Sequence, residues 1–385
     1  MKIVLVGGGA SALICANLIK NYDATSEVFI VEKNDKLGKK MKMTGNGKCN
    51  LAPISDNANA YNNPHFVNQL FEEVSFGEYL KQLQDLGVPT KTIKNQGYYP
   101  LSENAPNVVS ILTNSLVKKG VKIISGEVVE YDNKCIYLKD KKDSAPFDKI
   151  IFAIGGKSYA NSGSNGVLFP IFKKHGYQVN ELKPSLCPIK VKEGIKSLFG
   201  TRAHGALLLL EKGKVCYQEV GEVMFKKDAI SGIAAMNASS YIAHHDGEYQ
   251  ISLNLLEKEY FEEFANNKNI NVLDALSAYV QLPIAEYIIK KLKINGLDLF
   301  TKHADKIKNE LANLTFTYDS LYDFDSAQVT AGGIDIKEID PSFKSKKENN
   351  VYFIGEMLDV DGLCGGYNLR FAISSAIQCA KHIKD

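Results

Sequence analysis

The sequence predicts an α/β protein in which a Rossmann-like parallel sheet is split by an inserted domain of β-barrel-like and helical character. The first observation is an apolar run at residues 3–6 that leads directly into three glycines and a helix-like stretch at 11–21. The second is a pair of short apolar runs, 150–154 and 351–354, which are typical of buried parallel strands. The third is a change to hairpin-like and then helical patterning after about Pro188, which places a second domain between the two runs.

The glycine-rich turn after the first strand has the spacing of a dinucleotide-binding fingerprint, Gly7-x-Gly9-x-x-Ala12. Such a turn lets the N–H groups at the start of the next helix approach a pyrophosphate. A second apolar run at 28–31 ends in Glu32, where a carboxylate can accept both hydroxyls of an adenosine ribose. The alternative is a tight strand-to-helix turn without a ligand. The order of strand, glycines, helix, strand and acid favours the dinucleotide site.

The composition predicts a soluble, cytoplasmic protein that acts on small molecules. With 385 residues, 45% of them hydrophobic, the chain is long enough for two or three domains. The 46 Lys and Arg residues nearly balance the 44 Asp and Glu residues, so we expect neither nucleic acid nor membrane as a partner. No apolar run approaches the roughly 18 residues that a bilayer requires, and the first residues lack the form of a signal peptide.

Cysteine and histidine spacing indicates neither disulfides nor a metal site. The seven cysteines are odd in number and never form a CxxC pair, which is typical of a reducing cytoplasm. The seven histidines form no HExxH motif and no Cys/His cluster. We therefore expect no bound metal.

Periodicity predicts the elements between these landmarks. Apolar spacing predicts helices at 66–74, 76–86 and 108–117, and short runs with turn residues between them predict a β-meander at 121–125, 127–131 and 135–138. The insert is predicted to hold a hairpin at 206–210 and 215–219, a strand at 249–253, and helices over about 256–314. Only one full GxGxxG/A element is present, which excludes a pyridine-nucleotide reductase with two Rossmann domains.

Four segments together resemble one family, the YhiN/BaiN-like bacterial flavoproteins described as NAD(P)/FAD-dependent oxidoreductases. The segments are GGGASA at 7–12, GKKMKMTGNGKCNL at 38–51, IGGKSY with GSNG at 154–166, and VYFIGEMLDVDGLCGGYNLRFA at 351–372. The TGNGKCN and DGLCGGYN elements are more specific than the glycine fingerprint. The resemblance implies an FAD-binding domain in two parts, 1–188 and 322–385, around an inserted β-barrel-like and helical domain at 189–321.

The resemblance also implies roles for individual residues in FAD binding. The first glycine turn would hold the pyrophosphate, Glu32 the ribose, and Glu356 the ribitol hydroxyls. Lys40 and the loop at 44–50 would lie along the phosphate and isoalloxazine side, while the backbone of Val128 would meet the adenine. The implied cofactor-binding residues are Gly7, Gly9, Ala10, Ser11, Ala12, Glu32, Lys33, Lys40, Thr44, Gly45, Asn46, Asn50, Val128, Gly155, Gly156, Gly355, Glu356, Gly365, Gly366, Tyr367, Asn368 and Leu369.

The chain departs from the family pattern in two places. Where relatives tend to show Thr-His and Pro in GE(L/M)LFTHxGxSGP, residues 221–234 read GEVMFKKDAISGIA, with Lys226 and Lys227 for Thr-His and Ile233 for Pro. Where relatives often carry Gly-Arg-x-Phe-Pro, residues 97–100 read GYYP. These changes leave the substrate open.

Two residues are candidates for a direct part in the chemistry. Cys49 lies in the flavin-side loop and could be redox-active or donate a proton, but without a partner cysteine nearby a packed thiol is the favoured interpretation. Tyr367 could donate a proton beside the flavin, or it could equally be a packing residue.

The function that follows is that of an FAD-dependent oxidoreductase. Hydride would pass from a nicotinamide or organic donor, through tightly bound FAD, to a small organic acceptor such as an activated C=C bond. NADH or NADPH would dock transiently as the donor. The alternatives are an FAD-dependent oxidase of a small amine or ketone, as the aminoacetone-oxidase label of the family implies, and a non-catalytic FAD-stabilised scaffold or RNA-modification partner. A plain NAD-dependent dehydrogenase is disfavoured by the Gly355-Glu356 and GGYN elements. Substrate, donor and oligomeric state stay open at this point.

Overall fold

The computed structural model describes residues 1–93, 96–139, 144–265 and 269–384, and the chain divides into two units. The first unit contains Met1–Lys183 and Gln328–Asp385, and the second contains Pro184–Ala327. The first unit is therefore built from two stretches of chain.

A five-stranded parallel sheet forms the centre of the first unit, in the order β18-β9-β1-β2-β5. Its strands are β1 (Lys2–Val6), β2 (Glu27–Glu32), β5 (Lys122–Ser125), β9 (Lys149–Phe152) and β18 (Val351–Phe353). Val4 pairs with Phe29 on one side and with Ile150 on the other. The middle strands are apolar runs without alternation because helices cover both faces of such a sheet.

The helices of the first unit confirm most of the predicted ones. They are α1 (Ala10–Tyr22), α2 (Pro64–Glu73), α3 (Phe76–Asp85), α4 (Ala105–Lys118), α5 (Phe169–Lys174) and α11 (Tyr367–His382). Smaller sheets complete the unit: β3 (Thr90–Ile93) with β4 (Gly97–Pro100), β6 (Val128–Tyr131) with β7 (Cys135–Leu138) and β8 (Ser144–Pro146), and β10 (Val179–Ser185) with β17 (Val329–Ile334).

The prediction that 121–125 opens a β-meander is wrong. Strand β5 pairs in parallel with β2 at the edge of the main sheet, whereas β6 and β7 form an antiparallel sheet with β8. The edge position explains the error, since Ile123 is 44% exposed and the strand lacks the continuous burial of its neighbours.

Arg370 ties the last helix to the segment before α2. Its guanidinium is fully buried and donates to both carboxylate oxygens of Asp56, at 2.9 and 2.8 Å, and to the carbonyl of Val74 at 2.9 Å. The guanidinium carbon lies 4.2 Å from the ring centre of Phe71 and 4.4 Å from that of Tyr79. The charge is thus paired and enclosed by aromatic rings, which is how a buried arginine is tolerated.

The second unit contains a closed antiparallel barrel in the order β11-β14-β13-β12-β15-β16. Its strands are β11 (Ile189–Val191), β12 (Arg202–Glu211), β13 (Lys214–Phe225), β14 (Ala229–Ser231), β15 (Tyr249–Asn254) and β16 (Leu314–Leu321). The predicted hairpin is confirmed as β12 and β13, and the predicted strand as β15. The fold class, a split Rossmann-type domain with a barrel-like and helical insert, is confirmed.

The helices of the second unit are α6 (Ile233–His244), α7 (Lys258–Ala265), α8 (Val272–Tyr279), α9 (Leu282–Leu292) and α10 (Ala304–Ala312). The last four lie within the range predicted to be helical, of which residues 266–268 fall outside the described residues. Over the described ranges, none of the helices combines the length and the apolar character needed to cross a membrane.

Candidate functional site

The first glycine turn leads from β1 into α1 and makes two different kinds of contact. Gly7 has φ +100°, and a Cβ there would lie 2.5 Å from the carbonyl oxygen of Ala153. Gly7 therefore allows the turn to pack against the end of β9. A Cβ on Gly9, by contrast, would meet no atom within 4 Å. The turn is therefore packed against protein atoms at Gly7 and has free space beside it at Gly9.

The start of α1 is suited to an anion. Gly9 is its N-cap residue, no side chain caps the helix, and the first turn holds no acidic residue. The N–H groups at 10–12 therefore present the partial positive charge of a 13-residue helix toward the open side of Gly9. Ala12 is fully buried, and Ser11 contacts the turn after β18, since a Cβ on Gly355 would lie 2.6 Å from Ser11 Oγ.

Glu32 ends β2 beside this turn, and its carboxylate is already partly engaged. Oε2 accepts the N–H of Gly8 at 2.7 Å, and Oε1 accepts the backbone and side-chain N–H groups of Asn34 at 2.8 and 2.7 Å. A carboxylate offers about four acceptor positions. The geometry thus leaves room for about one ribose hydroxyl rather than the two expected from the sequence.

Two further predicted residues, Lys33 and Val128, follow the ends of β2 and β5. The Lys33 ammonium is 3.7 Å from the carboxylate of Glu127, and burial lowers its pKa, against the opposing effect of Glu127. Val128 is buried at the start of β6 and pairs with Leu138.

Glu356 is the centre of a polar network at the carboxyl end of the sheet. Its two oxygens accept hydrogen bonds from Lys40 at 2.8 and 2.7 Å, and Oε1 also accepts the N–H of Thr330 at 3.1 Å. The turn after β9 adjoins the same carboxylate, since a Cβ on Gly156 would lie 3.3 Å from Oε1 and one on Gly155 would lie 3.8 Å from Oε2. The structure therefore brings the second, third and fourth motif segments together at Glu356.

The loop at 44–50 contacts the start of the last helix through Asn50. The amide of Asn50 donates to the carbonyl of Gln96 at 3.1 Å, which fixes its orientation. Its Oδ1 is buried and has no hydrogen-bond partner among the described residues, and a Cβ on Gly366 would lie 2.8 Å from it. Gly45 and Asn46, at the exposed tip of the loop, both have left-handed backbone conformations, and Thr44 Oγ1 donates to the carbonyl of Met41 at 2.7 Å.

Cys49 lies inside this loop rather than at its surface. The residue is fully buried with φ +65°, and burial raises the pKa of its thiol to about 11. A thiol with this pKa stays protonated near neutral pH, which favours the packing role over the redox role. All seven cysteines are free thiols.

The helix α11 begins with the GGYN element. Gly366 is its N-cap residue, and no side chain caps the helix. The ring of Tyr367 meets that of Tyr61 edge to face at 5.6 Å, and the side chain of Asn368 closes the preceding turn by two hydrogen bonds with the backbone of Gly362, at 2.9 and 2.7 Å. Leu369 is half-buried against the core. The turn from Gly365 is therefore held firmly at the N-terminus of a 16-residue helix.

These features fit a dinucleotide cofactor such as FAD. The open space at Gly9 and the uncapped helix start suit a pyrophosphate, and Glu32 retains an acceptor position for a ribose hydroxyl. Sequence reasoning missed Asn34, which holds Glu32, and Thr330, which holds Glu356. Only the closeness of Asn34 to Glu32 in the chain could have indicated the first, and no local pattern marks the second.

Comparisons with known proteins agree with this architecture. The family described as "HI0933-like protein Rossmann domain" matches residues 1–382. The 3-dehydro-bile acid delta(4,6)-reductase of Clostridium scindens is 29% identical, over 96% of both chains. A ribosomal RNA dihydrouridine synthase of Haemophilus influenzae is 27% identical over 99% of this chain and 98% of its own, and its namesake of Escherichia coli is 25% identical over 99% and 97%.

A solved structure shares the fold at much lower identity. The FrdA subunit of E. coli quinol fumarate reductase superposes with a TM-score of 0.51 at 10% identity, over 100% of this chain and 70% of that one. The match of the family to almost the whole chain, together with the motifs at Gly9, Asn50, Glu356 and Gly366, leads to one conclusion. The protein belongs to the HI0933-like family, the YhiN/BaiN-type flavoproteins with an FAD-binding Rossmann fold.

Proposed function

We propose that the protein is an FAD-dependent oxidoreductase that reduces a carbon–carbon double bond conjugated to a carbonyl group. The observation that carries the proposal is full-length similarity to two differently named relatives whose reactions share this chemistry. A Δ4,6-reductase of a 3-oxo steroid saturates double bonds conjugated to a ketone. Dihydrouridine arises from uridine by saturation of the C5–C6 bond, which is conjugated to the C4 carbonyl.

The chain's own residues would bind and orient the cofactor. The start of α1 would hold the pyrophosphate, Glu32 would accept a ribose hydroxyl, and Glu356, held by Lys40, would accept one ribitol hydroxyl. The N-terminus of α11 would direct partial positive charge at the flavin. FAD, when bound, supplies hydride transfer.

The acceptor also needs a proton at the carbon next to its carbonyl group. Tyr367, at the start of α11, is our candidate donor, because its phenol stands at the helix end that would adjoin the flavin. We assign Cys49 a packing role, since its thiol is buried with a raised pKa.

We further propose that NADH or NADPH docks transiently as the hydride donor, and that the substrate is a small molecule in the cytoplasm. The alternative within the same class is an oxidase of a small amine or ketone, in which the organic substrate reduces the flavin and O₂ reoxidises it.

A second candidate is reduction of a uridine in ribosomal RNA, favoured by the relatives at 27% and 25% identity. The charge of the second unit argues against its lysines as an RNA surface. Residues 184–327 contain 16 Lys and Arg residues against 19 Asp and Glu residues, so this unit carries a net negative charge. A small conjugated carbonyl compound is therefore the first choice of substrate.

The test is an anaerobic titration of the purified protein, monitored through the absorbance bands of the flavin. NADH and NADPH are added separately, and then the reduced protein receives either a 3-oxo-4,6-diene steroid or a ribosomal RNA transcript. Bleaching by a nicotinamide and recovery of the bands with the steroid alone would support the proposal. Recovery with the RNA alone would select the second candidate. If neither nicotinamide bleaches the flavin but an amine or ketone does, the oxidase is selected. A protein that neither carries nor takes up FAD would refute the assignment.

The Tyr367→Phe variant tests donation of the proton separately from transfer of the hydride. We expect bleaching by the nicotinamide to be retained and recovery with the acceptor to slow by about 10²-fold or more, the usual contribution of a general acid. Tyr137→Phe, which changes an exposed tyrosine of β7, is the matched control. Equal recovery rates in both variants would exclude Tyr367 as the donor.

A further inference from the structure

The side chain of Thr330 joins two turns of the candidate cofactor site, although no sequence pattern marks it. Its Oγ1 accepts the backbone N–H of Lys157 at 2.8 Å and that of Ser158 at 3.0 Å, and it lies 2.8 Å from the hydroxyl of Ser158. Its own backbone N–H donates to Oε1 of Glu356 at 3.1 Å. Thr330 therefore contacts both the turn that follows β9 and the acid that follows β18.

The hydrogen bonds of this hydroxyl are complete. A threonine hydroxyl offers one donor and two acceptor positions. Because the two N–H groups fill both acceptor positions, Thr330 must donate its own proton to Ser158 Oγ. Both residues are buried, with 1% and 0% of their surface exposed, so water does not replace a lost partner. Removal of the hydroxyl would take this acceptor away from the buried N–H of Ser158 and from the part-buried N–H of Lys157.

The turn after β9 also packs directly on Thr330. A Cβ on Gly156 would lie 2.4 Å from Thr330 Oγ1 and 2.6 Å from its Cβ. Strand β17, which carries Thr330, is buried along its whole length and pairs with β10. The turn is therefore held against a fully buried strand.

We propose that Thr330 is a positioning residue for the FAD cofactor, which fixes the Gly155–Ser158 turn and the Glu356 carboxylate relative to each other. The inference rests on the proposed function, because it concerns residues that would adjoin bound FAD. The same hydroxyl that satisfies the turn prevents its amides from rearranging, and the adjacent backbone N–H fixes one oxygen of Glu356. Without the hydroxyl, the turn of the cofactor-free protein can shift to satisfy its amides elsewhere. Loss of the hydroxyl is therefore expected to lower the affinity for FAD.

The experiment compares Thr330→Val, which keeps the shape but removes the hydroxyl, with Thr330→Ser, which keeps the hydroxyl. The full-length proteins are freed of FAD, and the dissociation constant of added FAD is measured by flavin fluorescence, beside the unfolding temperature with and without FAD. We expect Thr330→Val to weaken FAD binding by about tenfold or more, and Thr330→Ser to stay within about 1.5-fold of the wild type. Ser26→Ala, which removes a buried hydroxyl at the opposite end of β2, is the control and is expected to bind FAD as the wild type does.

Several outcomes would overturn the inference. Wild-type affinity in Thr330→Val, or equal weakening in Thr330→Val and Thr330→Ser, would show that the hydroxyl does not position the site. A lower unfolding temperature of the cofactor-free protein with an unchanged FAD dissociation constant would show a purely structural role. If Thr330→Val does not fold, Ser158→Ala decides, with about threefold weaker binding expected from loss of one partner and unchanged binding contradicting the proposal. Absence of FAD binding by the wild type would instead refute the proposed function itself.

Discussion

The ammonium of Lys40 lies 2.8 and 2.7 Å from the two carboxylate oxygens of Glu356, joining positions 316 residues apart in the chain. Both side chains are largely shielded, with 22% and 17% of their surface exposed. The pair therefore links the segment at 38–51 to the turn that follows β18.

Loss of Lys40 is expected to weaken the site more than loss of an exposed pair. Lys40→Met leaves the Glu356 carboxylate shielded without its cation, so we expect a fall in the free energy of unfolding of about 1–3 kcal/mol, together with weaker FAD binding. Chemical denaturation and FAD titration measure the two effects. Lys81→Met, which removes an exposed pair with Asp85, is the control, with an expected change of about 0–1 kcal/mol. Equal effects of the two substitutions would contradict the importance of the pair.

The two glycines of the first turn are expected to respond differently to alanine. Gly7→Ala places a methyl group 2.5 Å from the carbonyl oxygen of Ala153 at φ +100°, so it should lower the free energy of unfolding by about 2–4 kcal/mol. Gly9→Ala meets no protein atom within 4 Å, and because alanine is a poorer N-cap residue than glycine we expect that free energy to fall by only about 1 kcal/mol or less.

The same two substitutions distinguish an effect on folding from an effect on FAD binding. Because the methyl group of Gly9→Ala would project into the space proposed for the pyrophosphate, we expect FAD affinity to fall by about tenfold or more. Denaturation of the cofactor-free proteins and FAD fluorescence are the measurements. A Gly9→Ala protein that binds FAD normally would place the pyrophosphate elsewhere.

Removal of the buried guanidinium is expected to destabilise the first unit strongly. Arg370→Met leaves Asp56 and the carbonyl of Val74 without their donor, and we expect a loss of about 3–5 kcal/mol. Arg370→Lys should rescue little, because an ammonium cannot make the bidentate contact with Asp56. Denaturation of Arg202→Met, which breaks an exposed pair with Glu222, supplies the comparison. A loss under about 1 kcal/mol for Arg370→Met would mean that the aromatic enclosure, not the charge pair, holds the helix.

Cys49 is expected to resist alkylation in the folded protein. With a thiol pKa of about 11, about 0.1% is thiolate at pH 8, and the side chain is fully buried. Iodoacetamide treatment followed by peptide mass spectrometry should modify the partly exposed Cys135, Cys216 and Cys364 first. Raising the pH toward 11 should increase the thiolate fraction, but labelling should remain limited by burial until the protein unfolds. Early labelling of Cys49 would reopen its redox role.

Local patterns predicted the parts of the site that lie next to one another in the chain. Glu32 could be found because it ends a strand 25 residues after Gly7, and Glu356 because it follows a glycine at the end of β18. Thr330 could not be found, because its partners at 157 and 158 lie more than 170 residues away. A hydroxyl inside an apolar strand carries no sign of the turn that it will meet.

In the barrel, prediction from the sequence is limited by the length of the strands. Strands β12 and β13 are long enough to be read from their sequence, whereas β11 and β14 have three residues each, too few for any period to show. The register that closes the barrel depends on pairs such as Ile189 with Ile230, which only the folded chain brings together. Helix α6 was missed because its predominantly small and apolar residues have no clear polar face.

The strand order also bears on how the protein is made. Strand β9 pairs with β1 on one side and with β18 on the other. During synthesis β1 is available as soon as β9 leaves the ribosome, but β18 follows only after the entire barrel unit has been translated. For that interval β9 presents an open edge with apolar side chains, which is the kind of surface that pairs with foreign strands. Folding of the nascent chain is therefore expected to pause with the sheet incomplete, and a chaperone that covers β9 during this pause would raise the yield of native protein.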